Sequence, residues 1–393
     1  MGERRSGPVL GERVAQAVVD RVMERLGHNV NLMDTAGVIV ASGEPSRVGT
    51  RHEGACRALA RGAPEVVPED AAAGLDGTQP GVNVPVSVDG EIVGVVGVTG
   101  APEQVAAAAS SVALTVELML GQQTAQEEWE WRRRARGQLV EDLIAGRLDE
   151  GEWHRRLGML GCAMSPPYAV TALVPDRTPV TVPIRSLHGA DTGVLRCLDG
   201  HGTAWIVAGR GHHAVARARA GEARSVLDRA GVTYRTVESG RADTVRDLAR
   251  LAGRTALAAG VLRARHRAET RDGAADHPPG DRPAPVGPGD GATVTLADLE
   301  VPVLLAGLAA EERRELRERV LGALSADQRR TLAAFLAADL VVTRAARDLV
   351  VHRNTLLQRL DAVTRITGRD PRRFGDAAAF HVALLLDELT DDA

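Results

Sequence analysis

Residues 343–368 read TRAARDLVVHRNTLLQRLDAVTRITG, and their spacing predicts two short helices joined by a tight turn. Thr343 is placed to N-cap a helix running to about Leu349, because a side-chain oxygen there can accept from the unpaired N–H groups of a first turn. Ala345 and Ala346 supply small side chains where a second helix must come close. A turn at Val350–His352 leads into that helix, in which Leu356, Leu360 and Val363 recur at helical spacing for burial. Its other face, near the N-terminus, carries Arg353, Asn354, Thr355, Gln358 and Arg359. Arginine suits guanine, asparagine or glutamine suits adenine, and threonine suits phosphate or a thymine methyl. In a helix-turn-helix the start of the second helix enters the major groove, so these five residues, with Thr343 and His352 beside them, form a candidate DNA-binding set. Spacing alone also admits a helical hairpin with a solvated basic face.

Charge favours the first reading. From Val341 to Arg373 eight arginines (344, 347, 353, 359, 365, 369, 372 and 373) face three aspartates (348, 361 and 370), a local balance of 8 − 3 = +5 in a chain of formal net charge -4. All 48 basic residues are arginines. A phosphate-binding loop that needs lysine, a Schiff-base enzyme and a lysine general base are thereby excluded.

Length and composition set the frame. A chain of 393 residues exceeds one ordinary core, so two or three domains are expected. With 44% hydrophobic and 25% charged residues it reads as globular. No uninterrupted run of eighteen apolar residues occurs, so no membrane span is expected, and MGERRSGPVL has neither the apolar core nor the cleavage site of a secretion signal. Cys56, Cys162 and Cys197 stand far apart without a CxxC pair, which argues against a zinc site or disulfide framework. A cytoplasmic location is expected, with no metal and no cofactor.

Outward from the C-terminal segment, the order of elements suggests three regions. At the N-terminus Val14, Val18, Val22 and Leu26 form a helical stripe ended by Gly27. NVNLMDTAGVIVASG reads as a hairpin about Asp34–Gly37, RVGTRHEGACRAL (47–59) as a turn and a helix, and PGVNVPVSVDGEIVGVVGVTG (80–100) as a second hairpin about Asp89-Gly90. Residues 102–121 are helical, with Val105, Val112, Val116 and Met119 on related faces, and the polar run 122–136 continues that helix as a connector. Trp129 and Trp131 cannot share one face; a solvated helix with one half-buried Trp and a dimer coiled coil both fit. Residues 138–270 hold strand-like runs (YAVTALV, GVLRCL, TAWIVAG, VTYRTV) and helices near 214–230 and 243–268. RDGAADHPPGDRPAPVGPGDGA (271–292) is a linker rich in Pro and Gly, and everything after it, from Ala297 to Leu389, reads as helical. Gly94, Gly97 and Gly100 form GxxGxxG, which lacks the spacing and context of a nucleotide loop and reads as strand bulges or close backbone approaches.

Two stretches carry a family resemblance. VHRNTLLQRLDAVTRITGRDP followed by FGDAAAFHVALLL resembles the C-terminal helix-turn-helix of the purine-catabolism-regulator type, through His352, Arg353, Asn354, Thr355, Arg359, Leu360 and Thr367-Gly368. Gln358 departs from the aromatic usual there, and Asp339–Val342 from the usual Gly/Asn turn and Ser cap. GHNVNLMDTAGVIVASGEPSRVGTRHEGA and QPGVNVPVSVDGEIVGVVGVTGAPEQV resemble the sugar-diacid-recognition domain of carbohydrate diacid regulators, from Leu10 to Gln122. The resemblance implies a multidomain chain. Its expected parts are an α+β, PAS/Cache-like N-terminal sensor (8–122), a connector helix (123–137), an α/β, degenerate cyclase-like middle domain (138–270), the linker, and an all-α C-terminal domain (293–393) holding the helix-turn-helix. It further implies a transcription regulator that binds promoter DNA as a homodimer or higher homo-oligomer and responds to a small carboxylate effector, a sugar diacid or glycerate-like molecule.

Such an effector needs fixed cations, above all the fork of arginine, and hydroxyl or amide partners for its OH groups. Arg47, Arg51 and His52 fall on one segment between the hairpins, and Arg51 with His52 is the expected carboxylate pair. Ser42, Asn83 and Thr99, at strand ends, are expected hydroxyl readers. The alternative for His52 and Asn83 is structural, as caps of a helix and a turn. An enzymatic reading, nucleotide cyclisation in the middle region, lacks a GG[DE]EF run and paired carboxylates, and the adjacent His212-His213 would diverge. A sensor of a purine-catabolism intermediate, or an adaptor that does not bind DNA, are the remaining readings.

Overall fold

The computed structural model describes residues 12–75, 78–176, 189–191, 193–275 and 293–389. Most of the predicted linker, 276–292, lies outside them, as do residues 8–11 of the predicted sensor. The chain divides into two compact units, Met1–Trp131 and Arg132–Ala393.

In the first unit, helix α1 (Glu12–Leu26) precedes the hairpin of β1 (Val30–Met33) and β2 (Ile39–Ser42). A 3-10 turn at Pro45–Arg47 leads to α2 (Glu53–Arg61), β3 (Glu65–Val67) and the single turn α3 (Glu69–Ala72), neither of the last two foreseen from sequence. The second hairpin, β4 (Gly81–Val88) and β5 (Glu91–Thr99), is followed by the 43-residue helix α4 (Pro102–Ile144), so the polar run 122–136 does continue it. All pairings are antiparallel, in the order β2-β1-β5-β4-β3.

Both hairpins turn where predicted, for local reasons. Asp34 Oδ1 accepts from the N–H groups of Ala36 and Val38, at 2.9 Å each. Asp89 and Gly90 are both left-handed (φ 52° and 84°), as a two-residue type I′ turn requires. Strand alternation then gives the sheet two apolar faces. Val30, Leu32, Val82, Val96 and Val98 pack with α1 and the first half of α4, while Met33, Ile39 and Val95 meet Ala55 and Ala58 of α2. The buried stripe of α4 runs Val105, Ala109, Val112, Val116 and Leu120, so Met119, expected on that face, is exposed. An added Cβ at Gly94 would meet the Met33 carbonyl oxygen at 2.5 Å, so this glycine is a close approach of neighbouring strands. By length and composition α4 includes a stretch apolar enough to cross a bilayer, although no eighteen apolar residues run unbroken in it.

The second unit starts with the end of α4 and α5 (Glu150–Met159), then β6 (Tyr168–Pro175), β7 (Gly189–Asp191), β8 (Val194–Leu198) and β9 (Ala204–Ala208). Helix α6 (His213–Arg229), β10 (Tyr234–Ala242) and α7 (Val245–Ala275) follow, and then β11 (Thr293–Thr295). The sheet order is β11-β10-β6-β9-β8-β7, with only β11 parallel to its neighbour. Thus the stretch after the linker, predicted to be wholly helical, first adds an edge strand here. One face packs on α5, α7 and the end of α4 around Trp153, the other on α6 through Ala220, Ala223, Val226 and Leu227.

The remaining helices are α8 (Glu300–Ala306), α9 (Ala310–Leu321), α10 (Ala326–Ala337), α11 (Val342–Asp348), α12 (Arg353–Thr367) and α13 (Phe374–Leu389). Ser325 caps α10 reciprocally with Gln328. Leu386 and Leu389 of α13 pack on Val261 and Ala264 of α7, and Arg265 reaches Glu388 at 3.2 Å. The sheet and the C-terminal helices therefore share apolar contacts inside one unit.

Candidate functional site

The C-terminal site is built on α11 and α12. Ala345 and Ala346 are buried against Phe335, Leu356 and Leu360, and Val363 joins the neighbouring cluster around Phe380, as the spacing required. That burial turns Arg353, Asn354, Thr355, Gln358 and Arg359 to solvent, all five exposed. Arg353 and Arg359 meet no carboxylate among the described residues, whereas Arg344 pairs with Asp339 at 3.1 Å, Arg369 with Asp376 at 3.6 Å and Arg372 with Asp361 at 2.9 Å. Of the surplus positive charge in this segment, Arg353 and Arg359 supply the share at the start of α12. His352 is the N-cap of α12, its Nδ1 accepting from the N–H of Asn354 at 3.2 Å, which leaves the proton on the exposed Nε2.

Thr343 is a correction. The N-cap of α11 is Val341, which makes no side-chain capping bond, and Thr343 stands inside the first turn. The chain is reversed earlier, by Asp339 and Leu340 in the left-handed region (φ 56° and 62°). Thr343 remains exposed on the first helix. At the other end, Gly368 closes α12 at φ 72°. Gly368→Ala forces a Cβ into that conformation, and a loss of about 1 kcal/mol is expected, read by urea unfolding against wild type.

The N-terminal site lies on the α2 face of the first sheet. Strand register aligns Ser42 with Asn31, Asn31 with Gly97, Gly97 with Asn83 and Asn83 with Glu65. Residues directly opposite one another share a face, so these five form one row across all five strands. Four of them are buried polar residues: Ser42, Asn31, Asn83 and Glu65. Most are satisfied. Ser42 Oγ donates to Asn31 Oδ1 at 2.6 Å and accepts from the Glu44 N–H at 3.0 Å, and Glu65 takes Arg61. The hydroxyl of Ser42, expected to read ligand hydroxyls, thus gives its proton to Asn31 within the sheet.

Asn83 differs. It is 2% exposed, yet its carboxamide oxygen Oδ1 has no hydrogen-bond partner among the described residues. It caps no turn; it sits in mid-strand over Gly97, where an added Cβ would lie 2.8 Å from its Oδ1. Its Nδ2 lies 2.9 Å from the position a Cβ would take at Gly54 of α2, where His52 Cε1 and Thr78 Cγ2 also converge at 3.1 and 3.2 Å. An unpaired buried amide costs free energy and marks a place where a partner is missing.

His52 is the N-cap of α2 and 3% exposed, with Nδ1 accepting from the Ala55 N–H at 3.1 Å. Burial, aided by the Arg47 guanidinium, lowers its pKa to about 4. The ring is therefore neutral near pH 7 and presents an Nε2–H donor. His52, expected as a carboxylate partner with a helix cap as the alternative, does cap α2, and its Nε2–H stays available to an acceptor. Since the folded pKa lies below the ordinary 6.5, the unfolded chain takes up the proton first on acidification. Stability is full above pH 6.5 and falls by up to about 3 kcal/mol toward pH 4. Urea unfolding of wild type and His52→Asn, a substitute that can still cap, should show the wild type losing more between these pH values.

The structure does not bring Arg51 and His52 together. Arg51 is exposed and donates from Nε to Cys56 Sγ at 3.4 Å, on the side of α2 that faces Gly37. The cation whose charge reaches His52 is Arg47, half-buried in the 3-10 turn. Thr99, at the end of β5 opposite Gly81, is half-exposed. Gly54, Thr78 and Asn31 were missed in the sequence, because only register and the placement of α2 assemble them.

The C-terminal helices define the class of protein, a DNA-binding helix-turn-helix transcription regulator. Residues 328–386 match the PucR C-terminal helix-turn-helix domain, and residues 10–143 match the family of sugar diacid recognition. The chain is 29% identical to the carbohydrate diacid regulator of Escherichia coli (strain K12), an alignment covering 96% of this chain and 98% of that one. The transcriptional activator PmfR of Paenarthrobacter nicotinovorans is 38% identical over 89 residues, 21% of this chain and 19% of its own. A solved regulator of polyketide synthase expression from Bifidobacterium adolescentis covers 65% of this chain and 93% of its own at 18% identity, with a TM-score of 0.28, too low to inform the fold.

Proposed function

We propose that this protein is a cytoplasmic, homo-oligomeric transcription regulator whose first unit binds a small dicarboxylate of the sugar diacid class and whose C-terminal helices read promoter DNA. The observation that carries the sensor half is the buried, unpaired carboxamide oxygen of Asn83 near the neutral ring of His52 and the charge of Arg47. Arg47 supplies the carboxylate's counter-charge, His52 a neutral donor and Asn83 a partner for a hydroxyl, with Thr99 and Arg51 at the periphery. The five-stranded antiparallel sheet clad by helices supports a PAS-like reading of the sensor, and the mixed sheet flanked by α6 and α7 a cyclase-like fold that performs no catalysis.

The DNA half rests on the exposed, unneutralised Arg353 and Arg359 at the start of α12, aided by Asn354, Thr355, Gln358, His352 and Thr343. By linkage, the effector alters DNA affinity only if it binds the competent and incompetent arrangements unequally. The test is a calorimetric titration with glucarate, galactarate and glycerate, paired with fluorescence anisotropy on DNA from the chain's own upstream region. Saturable binding of a diacid that shifts the DNA affinity is expected. Failure of every diacid to bind would defeat the sensor assignment, and failure to bind DNA the regulator assignment.

A further inference from the structure

The outer face of α4 in the first unit has no partner within that unit. From Gln104 to Gln126 the only charged residue is Glu117, and its carboxylate is turned to the Ser87 N–H at 2.7 Å. Over about 35 Å of helix the outward surface is therefore free of charge. Its most apolar eighteen-residue stretch would suit a bilayer, yet only 33% of it is buried. Leu114 and Leu118 are 56% and 62% exposed, unusual for leucines side by side one turn apart. Beside them runs a groove of ≈ 710 Å³ between α1 and α4, floored by Ala107, Ala108 and Ser111, walled by Val18, Val22 and Leu26, and rimmed on the α1 side by Arg21 and Arg25.

We propose that this face is the interface between two copies of the chain, Leu114 and Leu118 of each filling the α1–α4 groove of the other. A ridge and a matching groove on one surface are what a two-fold interface requires, since the same patch must complement itself. The extent also fits: a strip about 35 Å long on α4 and about 22 Å long on the 15-residue α1, each about 10 Å wide, offers on the order of 570 Å², at the lower end of the ~600–1,000 Å² per partner of specific pairs. A membrane is a poor occupant, because Val105, Ala109, Val112, Val116 and Leu120 of the same helix are core residues that insertion would strip out. The proposal builds on the regulator reading, in which one helix-turn-helix spans too few base pairs and a two-fold pair supplies the second. It also gives the effector a path to that pair. Gln16 of α1 donates to the Ser42 carbonyl at 2.8 Å and accepts from its N–H at 3.2 Å, tying the wall of the groove to the buried polar row.

The test is light scattering on the full chain at micromolar concentration, for wild type, Leu114→Glu/Leu118→Glu and Ala108→Trp. Wild type is expected to be dimeric and both variants monomeric with unchanged circular dichroism, the first by adding charge to the ridge and the second by filling the groove. A monomeric wild type, or variants that stay dimeric, would overturn the proposal. So would co-sedimentation of wild type with phospholipid vesicles that the leucine variant loses. A dimer that ignores DNA would instead defeat the regulator reading and leave the interface standing.

Discussion

Arg353→Ala/Arg359→Ala is expected to bind its operator on the order of a hundredfold more weakly than wild type, or worse, with no loss of stability. Each guanidinium that meets a base edge or phosphate contributes about 1–3 kcal/mol, and both act in each copy of a dimer. The fold should tolerate the change, because both side chains are exposed and neither meets a carboxylate among the described residues. Fluorescence anisotropy across a salt series separates the roles. Loss of a phosphate contact lowers the salt slope by about one and weakens all sequences alike, whereas loss of a guanine contact relaxes preference at one position. Unchanged affinity in the double variant would mean that another surface reads the DNA.

Arg47→Ala is expected to weaken diacid binding by about ten- to a hundredfold, while Arg51→Ala leaves it within about threefold. A hydrogen bond to a charged group is worth about 1.5–3 kcal/mol, and Arg47 is the cation whose field reaches His52. Arg51 is directed at Cys56 instead. The same substitution removes one cause of the low His52 pKa, so the ring should titrate at higher pH in Arg47→Ala, visible in its NMR ring-proton shifts. If Arg51→Ala proves the more damaging, the ligand lies on the Cys56 side of α2 and not beside Asn83.

The two sites were not equally legible in the sequence. The helix-turn-helix is local: its buried set (Ala345, Ala346, Leu356, Leu360, Val363) and exposed set (Arg353 to Arg359) follow from one helical period applied over 26 residues, 343–368. Only the first cap was misread, since two left-handed residues, Asp339 and Leu340, turn the chain before Thr343 could act. The connector likewise read correctly as one helix. Met119 was misplaced because three- and four-residue steps both approximate the helical period, and Leu120 won the core position.

What the sequence determined by itself was everything set by near neighbours: both hairpins with their turns at Asp34–Gly37 and Asp89-Gly90, the arginine-rich recognition helix and the absence of lysine chemistry. What only the tertiary structure decided was which distant residues share a face. Ser42, Asn31, Gly97, Asn83 and Glu65 are drawn from a stretch of 67 positions, Asn31 to Gly97, yet lie in one row, because antiparallel register places them opposite one another. Neighbouring Arg51 and His52, side by side in the chain, were parted for the same reason. Consecutive side chains of an extended segment point to opposite sides, so adjacency in sequence sent one to Cys56 and the other to the buried polar row.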